Sequence, residues 1–563
     1  MEKQGLRQKL LNRGKEIILS PQVMRLISDD RLMKTAEGLM DARSRIKGAW
    51  GILKHGYELP PIDPALDDNI GEQAGQKKAR KANGHVNGAN GHTNGPVNGV
   101  NGHANGHVNG TATPQDSAAT AKDQTIQLDS SKKVNGKGTH PAHTEEEEGL
   151  DVSLNERSNL ASIGGKDVFD KAFAFKTADN ARKMGMYPFF RPLDLNDGPE
   201  AVINDKRVVM FGSNNYLGLT THPKVREAAK AAIDRFGTSM TGSRLVNGSM
   251  KLHNEFEEKI AAFMGKEAAV VFTTGYQVNI ATCAALLSNK KAVAVIDRNV
   301  HASLYDGVRL GQSAGCRLIR YKHNDAESLD AALSKLDDSE GALVLTDGVF
   351  SAEGEIAKLD EIVPVVKRHG ARLMVDDAHG LGVIGPMGRG TAHMFGLEND
   401  VDLIGGTFSK SMASIGGWLV GERKVLDYVQ HFAPSFMFAA SAAPPSVAAA
   451  MAAFDVMQEE SWRIDKLREN FTYMRTELEK MGFELGKTQT AVIPIYIRHD
   501  LRTLMMWRTL LEDYGIYTNP FISPGVPPKH AMLRTSYMAS HERSHLDRGL
   551  EAFHKVGKKF GII

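Results

Sequence analysis

From about Val202 onward, short β-branched apolar runs alternate with amphipathic helical patterns, and this alternation constrains the fold more than any other feature of the chain. The runs Ala268–Thr273, Ala292–Ile296, Arg317–Tyr321, Gly341–Thr346, Arg372–Val375 and Leu403–Thr407 read as strands. Between them Val225–Phe236, Leu252–Phe263 and Glu361–His369 carry apolar residues at helical spacing. Nearly continuous apolar strands separated by helices predict an α/β fold with a mostly parallel sheet covered on both faces. After about residue 458 the pattern changes. A helix over Trp462–Met481 ending at Gly482 is followed by extended stretches at Val492–Arg498, Ile516–Asn519 and Met532–Tyr537, which predicts a smaller α+β domain. The expected division is 158–223 as the opening segment of the catalytic unit, 224–457 as the large domain and 458–563 as the small one.

What precedes residue 158 has a different composition. Residues 1–75 form a basic, partly helical region. Its first 60 residues hold 12 Lys/Arg against 7 Asp/Glu, with Leu6, Leu10, Leu11, Ile17 and Ile18 near helical spacing, a pattern suited to peripheral contact with an anionic membrane or to docking on a partner. Residues 76–157 read as a flexible linker, since Asn-Gly occurs eight times between Asn83 and Gly110 and each pair favours a turn. The histidines in that tract (His85, His92, His103, His107) need no metal. The N-terminus lacks the apolar run of a signal peptide, and Ala439–Phe454, interrupted by Pro444 and Pro445, is too short to span a bilayer. Two cysteines, Cys283 and Cys316, make no disulfide framework, so a reducing, cytoplasmic compartment is expected. With 69 Lys/Arg against 67 Asp/Glu the chain has no overall basic excess of the kind a dedicated nucleic-acid binder shows.

In an open parallel sheet ligands bind beyond the carboxyl ends of the strands. Polar residues gather there: Thr273-Thr274-Gly275-Tyr276, Asp297 to His301, Asp347 to Ser351, Asp376 to His379, and Thr407 to Lys410. Asp376 ends the buried run LMV, where an unpaired charge is costly, so it calls for a cation: a distant arginine or a protonated cofactor nitrogen. A helix cap or a buried salt bridge is the bland alternative. Lys410 follows GGTFS, whose glycines and hydroxyls suit a phosphate. A partly desolvated lysine becomes a nucleophile able to form a Schiff base, although a lone Ser-Lys pair is more often a surface feature. A lysine opposite an aspartate, with loop groups for a phosphate, fits pyridoxal phosphate. The GxGxxG match at Gly380–Gly385 opens no helix and runs into Pro386, and no GxxxxGK[ST] loop occurs. His and Cys spacing lacks a zinc pattern, and Asp347–Glu355 lacks the calcium-loop ladder, so no metal is expected.

These residues also carry a resemblance. The stretches FGSNNYLGLTTHP, GTSMTGSRLVNGS, VFTTGYQVN, DRNVHASLYDG, DGVFSAEGE, LMVDDAHGLGVIGPMGRG, GTFSKS and LRTSYMASH, across Gly185–Ile563, resemble the α-oxoamine synthase family. These are fold type I pyridoxal-phosphate transferases that condense an amino acid with an acyl-CoA thioester and release carbon dioxide and coenzyme A. HASLYDG, RYKHNDAESLDAAL, the AAPPSV stretch and MMWRTLLEDYGIYTN are most similar to the bacterial serine palmitoyltransferase branch. Relatives that use alanine or glycine, such as 8-amino-7-oxononanoate synthase and glycine C-acetyltransferase, share nearly the same core.

The resemblance implies that Lys410 holds the cofactor as a Schiff base and then acts as the base at the amino-acid Cα. It implies that Asp376 pairs with the ring nitrogen, that His301 stacks on the ring and helps orient the substrate carboxylate, and that His379 reaches the phenolic oxygen with support from Ser351. Gly275, Tyr276 and Thr407, with Thr274 and Ser409 beside them, are the implied phosphate-side residues. Many relatives add two hydroxyls from the neighbouring subunit before the Pro-Pro pair; here Ala440 and Ser441 stand there, so only Ser441 offers one. Asn215, with Asn214 as competitor, and Arg534 are implied at the substrate carboxylate. The implied substrates are L-serine and a long-chain acyl-CoA, giving a 3-ketosphinganine-type product, and the implied assembly is a homodimer. A catalytically silent subunit of the family would lack the lysine, and Lys410 is present.

Overall fold

The computed structural model describes residues 167–527 and 529–563. The basic N-terminal region with its expected membrane contact, and the Asn-Gly linker, lie outside the described residues. Fourteen strands fall within them: β1 (Leu195–Asp197), β2 (Glu200–Ile203), β3 (Lys206–Met210), β4 (Ala268–Phe272), β5 (Ala292–Asp297), β6 (Arg317–Tyr321), β7 (Gly341–Asp347), β8 (Arg372–Asp376), β9 (Leu403–Thr407), β10 (Gly417–Gly421), β11 (Val492–Tyr496), β12 (Ile516–Tyr517), β13 (Asn519–Phe521) and β14 (Met532–Ser536).

Seven of these form the central sheet in the order β4-β10-β9-β8-β7-β5-β6. The β5 run AVAVID is buried along its whole length because helices cover both faces, which is why it shows no polar alternation. All neighbours pair in parallel except β10, which is antiparallel to both β4 and β9. The sequence reading did not foresee β10. Its glycines resemble loop, yet packing accounts for the pair: a Cβ on Gly417 would lie 2.8 Å from the Gly275 backbone, and one on Gly406 of β9, opposite Trp418, would lie 2.7 Å from the Trp418 ring. This close hairpin from β9 to β10 carries the segment containing Lys410.

The register then sets the rim. Asp347 lies opposite Asp376, Asp376 opposite Gly405, and Thr407 opposite Gly417, so three strand ends deliver polar residues to one place. Beyond it, β14 runs between β11 and β13, with Arg534 at its centre. The expected strand Ile516–Asn519 is divided between two sheets. β12 pairs in parallel with β3, joining the segment before residue 223 to the C-terminal part of the chain, while β13 pairs with β14. The expected Val492–Arg498 strand stops at Tyr496, with Arg498 at φ +67°. Among the described residues no helix is long and apolar enough to cross a membrane.

Candidate active site

Lys410 sits in the β9–β10 connection, half-buried, and its amine makes no ion pair or hydrogen bond among the described residues. Burial pulls its pKa down to about 8; Asp376 and Asp347 oppose that shift and Arg534 adds to it. At pH 7 an amine of that pKa is neutral in about one molecule in ten, against fewer than about one in a thousand for an ordinary lysine. The rate at which cofactor-free protein captures pyridoxal phosphate, followed by absorbance, is therefore expected to rise with pH through about 8 and level off above it. A rate still climbing steeply beyond pH 9.5 would assign the capture to an unperturbed amine.

Asp376 is buried at the end of β8. Its Oδ2 accepts from Asn279 Nδ2 at 2.6 Å and its Oδ1 from the Ala378 amide at 3.1 Å. Neither donor is a cation and no ion pair reaches it among the described residues, so the salt-bridge alternative does not account for it. Its neighbour Asp377 does different work, accepting from the Thr391 amide and hydroxyl, both at 2.7 Å. The turns at Gly348, Gly380 and Gly390 crowd that carboxylate so closely that a Cβ at any of them would lie 2.3 Å or less from its oxygens. The first glycine of the GxGxxG match, Gly380, thus packs on an aspartate of the protein's own.

Burial, reinforced by Asp376, raises the pKa of Asp347 well above the ordinary range, and its carboxyl group accepts from the His301 amide at 3.1 Å. His379 is buried with Nδ1 2.7 Å from the Tyr216 hydroxyl. Burial, then the Lys410 and Arg534 charges, holds its pKa well below that of an ordinary imidazole, so it is neutral at physiological pH. His301 is exposed at the rim, its Nδ1 2.7 Å from Ser303 Oγ and its ring 6.0 Å, edge-on, from Tyr276.

On the expected phosphate side the structure brings Gly275, Thr407 and Ser409 together. A Cβ on Gly275 would lie 2.6 Å from that of Thr407, and Thr407 Oγ1 is 2.8 Å from Ser409 Oγ. Gly275 opens the helix Gly275–Leu286, whose first amides have no intrahelical acceptor. Thr274 caps this helix itself by accepting from the Gln277 amide at 3.0 Å, and the Tyr276 hydroxyl donates to Asp306. The tyrosine thus offers an anion only its backbone N–H. The Ser441 amide donates to Gly242 O at 3.0 Å, and the adjoining Ala440 carbonyl accepts from Thr273 Oγ1 at 2.7 Å.

Arg534 is buried, with Nε donating to the Ser351 carbonyl and Nη1 to Ser536 Oγ, both at 2.7 Å. Its Nη2 is buried without a hydrogen-bond partner. Asn215 instead has both ends of its amide engaged in its own loop, donating to Thr220 Oγ1 at 2.9 Å and accepting from the Leu219 amide at 3.0 Å. Tyr216, Asn279 and Ser303 were not singled out from sequence. Their positions inside the stretches that carry the resemblance were the only signal available.

These residues fit pyridoxal phosphate: a buried carboxylate lacking a cation, a half-buried amine lacking a partner, and a tight Gly275–Thr407 contact beneath a helix N-terminus, where anions are favoured. A central α/β sheet bearing this rim defines a fold type I transferase. Residues 206–553 match the model for aminotransferase class I and II. Serine palmitoyltransferase of Sphingobacterium spiritivorum is 42% identical over 388 residues, 69% of this chain and 96% of that protein. The 8-amino-7-oxononanoate synthase of Thermoanaerobacter pseudethanolicus is 36% identical over 70% of this chain and 99% of its own. The solved structure of S. paucimobilis serine palmitoyltransferase with bound PLP–myriocin aldimine superimposes with a TM-score of 0.67 at 34% identity, covering 71% of this chain and all of that one. The chain belongs to the α-oxoamine synthase family of pyridoxal-phosphate enzymes. Its cofactor is pyridoxal phosphate and its class of reaction is the family's condensation.

Proposed function

We propose that the chain condenses L-serine with a long-chain acyl-CoA, releasing coenzyme A and carbon dioxide and giving a 3-ketosphinganine-type amino ketone. The observation that carries the choice of substrates is the gradient among relatives: serine palmitoyltransferases at 39–42% identity, against 36–37% for 8-amino-7-oxononanoate synthases. The latter support the second reading, an α-oxoamine synthase acting on alanine or glycine. Product identification by mass spectrometry, with serine, alanine and glycine each offered with a panel of acyl-CoA lengths, separates them. A product formed only from alanine or glycine would overturn the serine reading.

When bound, pyridoxal phosphate supplies an electron sink for the carbanion formed at the amino-acid Cα. Lys410 Nζ, neutral in a useful fraction near pH 7, takes the Cα proton and later returns one. Asp376 holds the ring nitrogen protonated, and neutral His379, with Ser351 nearby, donates toward the phenolic oxygen. The amides of Gly275 and Tyr276 and the hydroxyls of Thr407, Ser409 and Ser441 take the phosphate. Arg534 Nη2 and His301 hold the substrate carboxylate, and Asn215, whose amide has a second hydrogen beyond its bond to Thr220, approaches it from the loop beside them. Orientation of that carboxylate decides which Cα bond breaks, and such positioning is worth several powers of ten in rate.

Replacing Arg534 by alanine is expected to raise the serine dissociation constant at least about tenfold and to lower condensation with it, since a charged hydrogen bond is lost, while cofactor attachment at Lys410 persists. Unchanged serine binding would remove Arg534 from the carboxylate site. A homodimer and a cytoplasmic location with residues 1–60 on the membrane surface complete the proposal. Lipid co-sedimentation that is equal for the full chain and for one starting near Ser158 would remove the membrane role.

A further inference from the structure

We propose that Asn279 and Ser303 are positioning residues that fix the proton of His301 on Nε2, so that the ring offers a donor, not an acceptor, to an amino-acid substrate. This rests on the reading that an amino acid occupies the rim. The chain of inference starts at Asp376, whose carboxylate oxygen only accepts. Asn279 Nδ2 lies 2.6 Å from Asp376 Oδ2 and 2.8 Å from Ser303 Oγ, so both amide hydrogens are committed. The opposite amide orientation would press two acceptor oxygens together at 2.6 Å. Accordingly Asn279 Oδ1 is left buried without a partner, a penalty accepted for that orientation.

Ser303 Oγ, accepting from Asn279, has one hydrogen left, and the atom 2.7 Å away is His301 Nδ1. The Ser303 amide, which can only donate, also points at Nδ1, at 3.3 Å. Nδ1 is therefore an acceptor on two counts, and a neutral imidazole accepting there carries its proton on Nε2. Asn279 and Ser303 are buried, so water does not compete for the bonds that join them to each other and to Asp376. The same acid that serves the cofactor ring thus dictates, through one amide and one hydroxyl, which nitrogen of His301 meets the substrate carboxylate.

The test is solid-state 15N NMR of cofactor-free and cofactor-loaded protein labelled at the histidine ring nitrogens, with His301 assigned by its loss in His301→Asn. Wild type is expected to show Nε2–H alone at His301. In Ser303→Ala, where only the 3.3 Å contact of the backbone amide still holds Nδ1 as an acceptor, and in Asn279→Asp, where the serine hydroxyl turns to the new carboxylate, a second population with Nδ1–H is expected. The serine dissociation constant, read from cofactor absorbance, should rise roughly three- to tenfold, as for one lost hydrogen bond. A purely structural role would lower the melting temperature and leave the tautomer alone. Nδ1–H in the wild type, or an unchanged tautomer in a folded Ser303→Ala, overturns the proposal, and if Asn279→Asp does not fold those two measurements decide alone. Failure to bind any amino acid would instead defeat the condensation reading, while the resonances of cofactor-free protein still decide the tautomer.

Discussion

Lys410→Ala protein is expected to hold pyridoxal phosphate without a covalent bond and to lose condensation activity by at least about 10³- to 10⁴-fold, the scale of a lost proton-transferring group. The amine is half-buried in the β9–β10 connection, lacks a partner, and has its pKa brought down to about 8 chiefly by burial. Both features suit it to the nucleophile's part that we propose for it. Borohydride trapping followed by peptide mass analysis should find the cofactor on the Lys410 peptide in wild type and on no peptide in the variant. Folding should survive, because the side chain forms no bond to lose and because removing an amine that resists charging does not destabilise the native state. Trapped cofactor on another lysine, or activity within tenfold of wild type in a variant that melts normally, would overturn the assignment. Lys410→Arg should be as inactive as alanine, since a guanidinium does not deprotonate.

How far such a site is legible before folding depends on the kind of residue. The strands β5 and β9 follow directly from apolar runs, because burial on both faces leaves a simple signature. β10 did not reveal itself: Gly417 clears the Gly275 backbone and Gly406 of β9 clears Trp418, contacts that no local pattern records. Lys410 and Asp376 were visible because a charge at the end of a buried strand requires explanation. Which of Asp376 and Asp377 faces the site was not settled by that logic alone; the crowding of Gly348, Gly380 and Gly390 around Asp377 separates their jobs. Tyr216, Asn279 and Ser303 are ordinary polar residues in sequence, and only the packing of His379, Asp376 and His301 against them gives them a role. Asn215 shows the converse, a plausible ligand that its own loop already engages through one amide hydrogen and one lone pair, leaving the second of each.

Asp376→Asn should produce two effects of opposite sign, which separates an electrostatic role from a structural one. The substitution preserves shape and leaves one oxygen to accept from Asn279 while the Ala378 amide loses its acceptor, so the rim should stay assembled with one hydrogen bond fewer. Without the carboxylate charge the ring nitrogen is no longer held protonated, and turnover at saturating cofactor is expected to fall about 10²- to 10³-fold, the scale of losing one preorganised electrostatic partner. Asp376 also raises the Lys410 pKa against the effect of burial. Its removal should lower that pKa below about 8, increase the neutral fraction at pH 7, and shift the pH profile of cofactor capture toward acid. Capture at neutral pH should therefore quicken while catalysis collapses. A structural role would slow both together. Stopped-flow absorbance across pH 6 to 10 and steady-state turnover on the same preparation read the two effects. A capture profile shifted toward alkali, or turnover within about threefold of wild type, would show that Asp376 acts neither on the lysine nor on the ring as described.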